Sequence, residues 1–188
     1  MNREIKFNAW NKKTKTMHYD ILHPDNWSFS FLNREVFTWL EFTGLKDKDG
    51  MKEIFEGDIV RYREPYRTTQ THEGDNIPNG SYTEPMEAGI KEIVGSVVFT
   101  NGLFHIDDED DSQFKNPLTW YDRIWDLEEI KQAISWTRQN AGWFDDPEEG
   151  DLQYLISECA KVENENQLIE YLSGLEVLGN IFEHPNLL

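Results

Sequence analysis

The sequence predicts a mainly β protein with an α-helical insertion, an α+β arrangement. In the first hundred residues, short runs alternate apolar and polar side chains, which is the period of a half-buried strand. Asn101-Gly102 stands between two apolar runs, and this dipeptide favours the type I′ turn of a hairpin. Helical periodicity begins only after residue 107. We therefore expect a small β-barrel or a strongly bent antiparallel sheet, discontinuous in sequence and completed by a C-terminal strand.

Four strands are predicted before the pattern is lost. The first two form a hairpin across a polar turn and lie within EIKFNAW and MHYDIL. The third and fourth lie within EVFTWLEFTGL and DIVRYRE. Residues 64–92 are rich in Thr, Gly, Pro and charge, which predicts a long loop or an extended, frayed hairpin.

Three helices are predicted in the second half of the chain. Asp126 and Glu129 have the spacing of a capping box at the start of the first helix, and Gly142 marks its end. The second helix begins at Asp151 and the third follows Asn164, each with apolar residues along one face.

The apolar, β-branched segment LEVLGNIF predicts a strand that returns to the β core. These elements predict a division of the chain into three parts. They are residues 1–106 as a barrel-like core with the long loop 64–92, residues 107–174 as an acidic helical insertion, and residues 175–188 as the returning strand.

The charge of the chain is unevenly distributed. The formal net charge is −18, and residues 101–188 hold 5 Lys/Arg and 20 Asp/Glu. Such a polyanion repels phosphate backbones, which argues against direct nucleic-acid binding by this half. The same field attracts basic proteins. The alternative is that the charge only keeps a Trp-rich protein soluble.

Cys159 is the single cysteine, which excludes an intrachain disulfide and fits a reducing compartment. The N-terminus has no apolar segment of signal-peptide length, and no run of apolar residues is long enough to span a membrane. We expect a soluble, cytoplasmic protein with no membrane partner.

Three blocks of the sequence resemble the YopX-like family of phage and prophage proteins. They are REIKFNAWNKKTKTM, FTGLKDKDGMKEIFEGDIV and LEVLGNIFEHPNLL, in that order and with GSVVF before the last. The resemblance implies a compact, mostly β, barrel-like domain from a bacteriophage or prophage, and hence a bacterial host cell. It implies no established activity and no catalytic residues. The loop at 64–92 and the helical region at 107–174 depart from the shorter form that is usual in the family.

Six carboxylates lie within EFTGLKDKDGMKEIFEGDIV, which raises the question of a cation site or a catalytic pair. Counted from Asp47, the spacing does not match a calcium loop, because Gly50 falls fourth rather than sixth. Glu56 and Asp58 have no His or Cys within the stretch to act with them. We interpret the stretch as two tight turns between strands.

No catalytic, cofactor or metal-binding residue is predicted, and no cofactor is expected. The acidic run DDEDD, with His105 just before it, could hold a hard cation, but consecutive acids point in different directions and a solvated run explains them better. The five histidines show no zinc-site spacing.

Trp136 is the most informative aromatic residue of the insertion. On an ideal helix it lies about 150° from the apolar stripe and shares a face with Glu129. Two interpretations of this face are open. It packs against a neighbouring element of the protein, or it binds another protein through an aromatic anchor. The candidate partner-binding residues are Trp136, Glu129, Trp143, Phe144, Asp107, Asp108, Glu109, Asp110 and Asp111.

These observations lead to three hypotheses about function. The first is a non-enzymatic phage accessory protein whose acidic insertion binds a basic host or phage protein, one form of which is mimicry of nucleic-acid charge. The second is a metal-dependent hydrolase or nuclease that uses the acidic residues. The third is a structural or assembly component of the phage particle. The partner and the oligomeric state do not follow from the sequence.

Overall fold

A computed structural model describes most of the chain. The described residues are 5–21, 33–73, 81–107, 116–134, 137–138, 143–144, 149–158 and 162–188. The protein is mainly β with few helices, and of its two main antiparallel sheets one is a curled half-barrel. The predicted fold class is confirmed.

The elements are named in chain order. They are β1 (Phe7–Asn11), β2 (Thr16–Ile21), β3 (Phe37–Lys46), β4 (Glu53–Phe55), β5 (Asp58–Glu73), β6 (Ser81–Thr100), β7 (Leu103–Asp107), α1 (Leu118–Tyr121), α2 (Leu127–Ile134), β8 (Thr137–Arg138), β9 (Trp143–Phe144), α3 (Glu149–Glu158), α4 (Glu165–Leu172), β10 (Glu176–Asn180) and a 3₁₀ helix (Pro185–Leu187).

The first sheet has the strand order β2-β1-β3-β4. The predicted hairpin of the first two strands is confirmed, since Trp10 pairs with Met17 across β1 and β2. Strand β4 was predicted only as part of a turn. It forms because Ile54 and Phe55 are buried, and Phe55 pairs with Phe42 of β3.

Both faces of β1 are buried, although strict alternation predicts one solvated face. Asn8, Ala9 and Trp10 are all buried. The ring of Trp10 stacks on Phe182 of the C-terminal segment at a centroid distance of 5.5 Å. The C-terminal segment therefore covers the face of β1 that the alternation predicts to be exposed to solvent.

The second sheet has the strand order β10-β5-β6-β7. Its edge strand β10 is the predicted returning strand, and Val177 pairs with Val60 of β5 in antiparallel register. Strands β5 and β6 continue far into residues 64–92, which agrees with the extended hairpin rather than the long loop. Asn101 and Gly102 have φ angles of 53° and 83°, so the predicted type I′ turn is confirmed.

Two of the predicted helix starts are confirmed by their capping bonds. The backbone N–H of Glu129 donates to Asp126 Oδ1 at 2.8 Å, and the N–H of Asp126 donates back to Glu129 Oε2 at 3.2 Å. The N–H of Gln167 donates to Asn164 Oδ1 at the start of α4. None of the described helices is long and apolar enough to cross a membrane.

The sequence predicted that helix α2 ends at Gly142. In the structure, it ends at Ile134. The backbone of Thr137–Arg138 pairs instead with that of Trp143–Phe144 as a short antiparallel ladder. Gly142 itself lies outside the described residues. A glycine signals where a helix can stop, but it does not prevent an earlier end.

The chain divides into two compact units. Unit 1 comprises residues 1–62, 93–123 and 174–188, and unit 2 comprises residues 63–92 and 124–173. Unit 2 holds 6 Lys/Arg and 18 Asp/Glu, a net charge of −12, against −6 for unit 1. The domain boundaries at 107 and 175 stay predictions, because a compact unit is not by itself an independently folding domain.

Each unit has its own buried apolar residues. In unit 1, Leu40, Phe42 and Phe55 form a cluster against which Met17 and Phe182 pack. In unit 2, the helices bury one face each; the buried residues are Ile130, Ile134, Leu152, Leu155, Ile156, Leu168 and Leu172. The guanidinium of Arg63 is also buried there, 3.0 Å from Glu92 and 4.3 Å above the Tyr171 ring.

We predict that Gly57→Ala destabilises the protein more than Gly102→Ala. Both glycines have a φ of 83°, so an alanine costs about 1–2 kcal/mol of backbone strain at either position. At Gly57 the added Cβ would also lie 3.3 Å from Phe182 Cε2 and 3.4 Å from Leu40 Cδ2, whereas nothing lies within 4 Å at Gly102. Urea unfolding of both variants measures the difference, and equal losses would contradict the packing of Phe182 on this turn.

Candidate functional site

Unit 1 contains a cleft of about 590 Å³. All four strands of the first sheet line it, together with the start of β5, strand β10 and the segment after it. The lining residues are Asn8, Met17, Tyr19, Lys46, Met51, Lys52, Glu53, Phe55, Asp58, Val177, Gly179, Asn180, Glu183 and His184. Met17 and Phe55 belong to the apolar cluster of this unit, so the cleft has an apolar part among polar groups.

Asp58 lies where β4, β5 and β10 meet. The N–H of Phe55 donates to Asp58 Oδ2 at 2.8 Å and closes the turn between β4 and β5. Asn180 Nδ2 donates to Asp58 Oδ1 at 3.0 Å, which ties the last residue of β10 to this turn. Two backbone bonds support the same junction: Gly57 N–H donates to Val97 O, and Ile181 N–H donates to Gly57 O.

Burial raises the pKa of the Asp58 carboxyl from 3.8 to about 6. The hydrogen bonds from Asn180 and Phe55 act in the opposite direction, because they favour the carboxylate. The negative charge of Glu183 raises the pKa further, and the smaller influence of Lys52 lowers it. Asp58 is therefore a carboxyl group whose pKa is raised to about 6 inside the cleft.

Tyr19 and Glu183 are two lining residues of the cleft that contact each other. The Tyr19 hydroxyl donates to Glu183 Oε2 at 2.7 Å. Burial, this hydrogen bond and the charges of Glu183 and Asp58 raise the pKa of Tyr19 to about 12. The phenol stays protonated in neutral solution and acts there as a hydrogen-bond donor.

The turn interpretation of residues 41–60 is supported. Asp47 Oδ1 accepts the N–H groups of Met51 and Lys52 at 2.9 and 3.0 Å, and Gly50 has a φ of 68°. Glu56 and Asp58 do not form a pair in the cleft, because Glu56 is not among its lining residues. Burial raises the pKa of Glu56 separately. Asp58 has a place in the cleft that the turn interpretation did not include.

Few of the predicted partner-binding residues can be placed. Trp136 and the acids 108–111 lie outside the described residues. Trp143 and Phe144 form strand β9, of which only the backbone is described. Asp107 is exposed at the end of β7, and Glu129 is half-buried with its carboxylate in the capping box. Whether any of them contacts a partner stays a prediction.

Metal binding receives no support from the described part of the chain. Within it, no three His, Cys, Asp or Glu side chains are placed to share a metal ion. In comparisons with known proteins, no family model matches the sequence, and the search of curated proteins gives no significant match. Support for the candidate site therefore comes from the geometry of its residues.

Sequence reasoning missed the cleft because its polar residues are far apart along the chain. Tyr19 and Glu183 are separated by 164 positions, and Asp58 and Asn180 by 122. No motif connects such pairs. The one available signal was the predicted return of the C-terminal strand, which brings Asn180, Glu183 and His184 to the core.

We predict that Asp58→Asn weakens the pH dependence of stability. A carboxyl with a pKa of about 6 when folded and 3.8 when unfolded binds its proton more tightly in the folded chain. Stability therefore rises as pH falls from above 6 towards 3.8, by at most about 3 kcal/mol for this group.

Urea unfolding at about pH 7 and about pH 5 measures this change, since the asparagine does not titrate. Because the variant also alters the hydrogen bonds of Asp58, the comparison uses the change with pH and not the absolute stability. Asp49→Asn, at an exposed position of the preceding turn, is the control. The same pH dependence in the wild type and in Asp58→Asn would show that Asp58 does not titrate in this range.

Proposed function

We propose that the protein is a non-enzymatic accessory protein of a phage or prophage, of the YopX-like kind that its sequence resembles, and that unit 2 binds a basic host or phage protein. The observation that carries the proposal is the charge of unit 2, where 18 acidic residues stand against 6 basic ones. A field of this kind speeds the encounter with a basic partner and disfavours acidic ones.

Three exposed acids on α4 and just before its cap are available for such a contact. Glu163, Glu165 and Glu170 are exposed, and among the described residues none of the three makes an ion pair. Glu128 on α2 differs, since Lys131 Nζ lies 3.4 Å from its Oε1. No described residue therefore compensates the charge of these three carboxylates, and a cationic surface could neutralise it.

One specific form of the proposal is mimicry of nucleic-acid charge. A basic groove that binds phosphates would also accept a surface that presents carboxylates, provided that their spacing is similar. The acids 107–111 and Trp136 would extend the contact if they join this surface. No observation in the described residues favours a metal-dependent hydrolase or a particle component over this proposal.

We predict that neutralising charge on α4 and just before its cap weakens binding more than the same change in unit 1. The full-length double variant Glu163→Gln/Glu170→Gln is compared with Glu35→Gln/Asp49→Asn, in which two exposed acids of unit 1 are neutralised. Both variants have the same net charge. An exposed ion pair contributes about 0.2–1 kcal/mol, so the loss of two should weaken binding roughly 2- to 30-fold.

The measurement begins with a tagged pull-down from host lysate at low and high salt, followed by titration of each captured basic protein with the purified variants. Competition with duplex DNA for the captured protein tests the mimicry form. Full-length variants are preferable to a deletion of 107–174, because Leu118 is buried in unit 1 and Tyr121 packs on Tyr62 there. Equal weakening by both double variants, or binding that salt does not affect, would contradict the proposal.

A further inference from the structure

The cleft of unit 1 contains charges of both signs that form no ion pair with each other. Lys46, Lys52, Asp58 and Glu183 all line it. Among the described residues, none of these four side chains takes part in an ion pair. Glu53 in the same cleft differs, because Lys6 Nζ lies 2.6 Å from its Oε1. The cleft thus holds two cations and two anions that no described residue pairs, and a ligand could pair them.

The acidic part of the cleft is rich in hydrogen-bond acceptors. Asp58 is fixed by its bonds from Phe55 and Asn180, and Glu183 is fixed by the bond from the Tyr19 hydroxyl. These bonds leave a further lone pair on each carboxylate oxygen of Asp58, as well as Glu183 Oε1. The charges of Asp58 and Glu183 also disfavour each other, which a cationic ligand group would relieve.

The basic part of the cleft lies where β3 ends and β4 begins. Lys46 is the last residue of β3 and is the register partner of Glu53, and Lys52 directly precedes β4. Both ammonium groups carry three donors, which suits a carboxylate. Met17, Met51 and Phe55 add apolar lining that suits a short alkyl chain.

We propose that the cleft binds a small zwitterion, whose ammonium group contacts Asp58 and Glu183 and whose carboxylate contacts Lys46 and Lys52. The class of ligand is an amino acid with its two charges separated by a short alkyl chain. A volume of about 590 Å³ lies within the usual range of small-molecule sites. The inference concerns unit 1 alone and does not rest on the proposed binding of a basic protein by unit 2.

The first test is a titration of the full chain with 6-aminohexanoate at about pH 7.5, where a carboxyl of pKa about 6 is ionised. Calorimetry gives the affinity, and amide NMR shifts locate the site. For a ligand of this size we expect a dissociation constant on the order of millimolar. Hexylammonium and hexanoate, which carry one charge each, should bind about tenfold more weakly because each leaves one charged side of the cleft unpaired.

Two pairs of variants complete the test. Lys52→Gln and Glu183→Gln each remove one exposed charge from the cleft, and the glutamine at 183 still accepts a hydrogen bond from Tyr19. Lys13→Gln and Glu35→Gln make the same charge changes at exposed positions outside the cleft. The cleft variants should lower the affinity about fivefold and the controls should leave it unchanged. Equal effects in all four variants, equal binding of hexylammonium, or shifts away from the cleft would overturn the proposal.

Discussion

The hydrogen bond from Asn180 to Asp58 is the interaction on which the arrangement of unit 1 depends. Asp58 closes the turn between β4 and β5 through Phe55, and Asn180 ends the strand that borders β5. This carboxylate and the two backbone bonds at Gly57 therefore connect the first sheet to the edge of the second. The C-terminal segment that follows carries Phe182 onto Trp10 and Glu183 onto Tyr19. This junction places Phe182 against the apolar cluster and places Glu183 and His184 in the lining of the cleft.

Such a junction has an electrostatic cost. A buried carboxyl loses hydration, which the two hydrogen bonds offset only in part, since its pKa remains raised. Asp58 and Asn180 also line the cleft, together with residues of β2, β4 and β10. Asp58 therefore has a structural role at the junction and a place in the cleft.

Local signals in the sequence predicted much of the fold. The turn at Asn101-Gly102 and the capping box of Asp126 and Glu129 could be predicted because the interacting groups lie within a few residues of each other. The end of α2 was misplaced because pairing between 137–138 and 143–144 decided it, and not the glycine at 142. The cleft could not be predicted at all. Its Tyr19–Glu183 and Asp58–Asn180 bonds join residues that no periodicity relates.

The return of β10 to β5 also has a consequence for the way the chain folds. The Asn180–Asp58 contact spans 122 positions, so its closure costs more chain entropy than that of a hairpin, although this cost grows only with the logarithm of the loop length. Topologies dominated by such distant pairings fold slowly, and β5 keeps an unpaired edge until β10 arrives. During that interval the edge is open to pairing with another chain. The high negative charge of the protein opposes such pairing, because like charges repel.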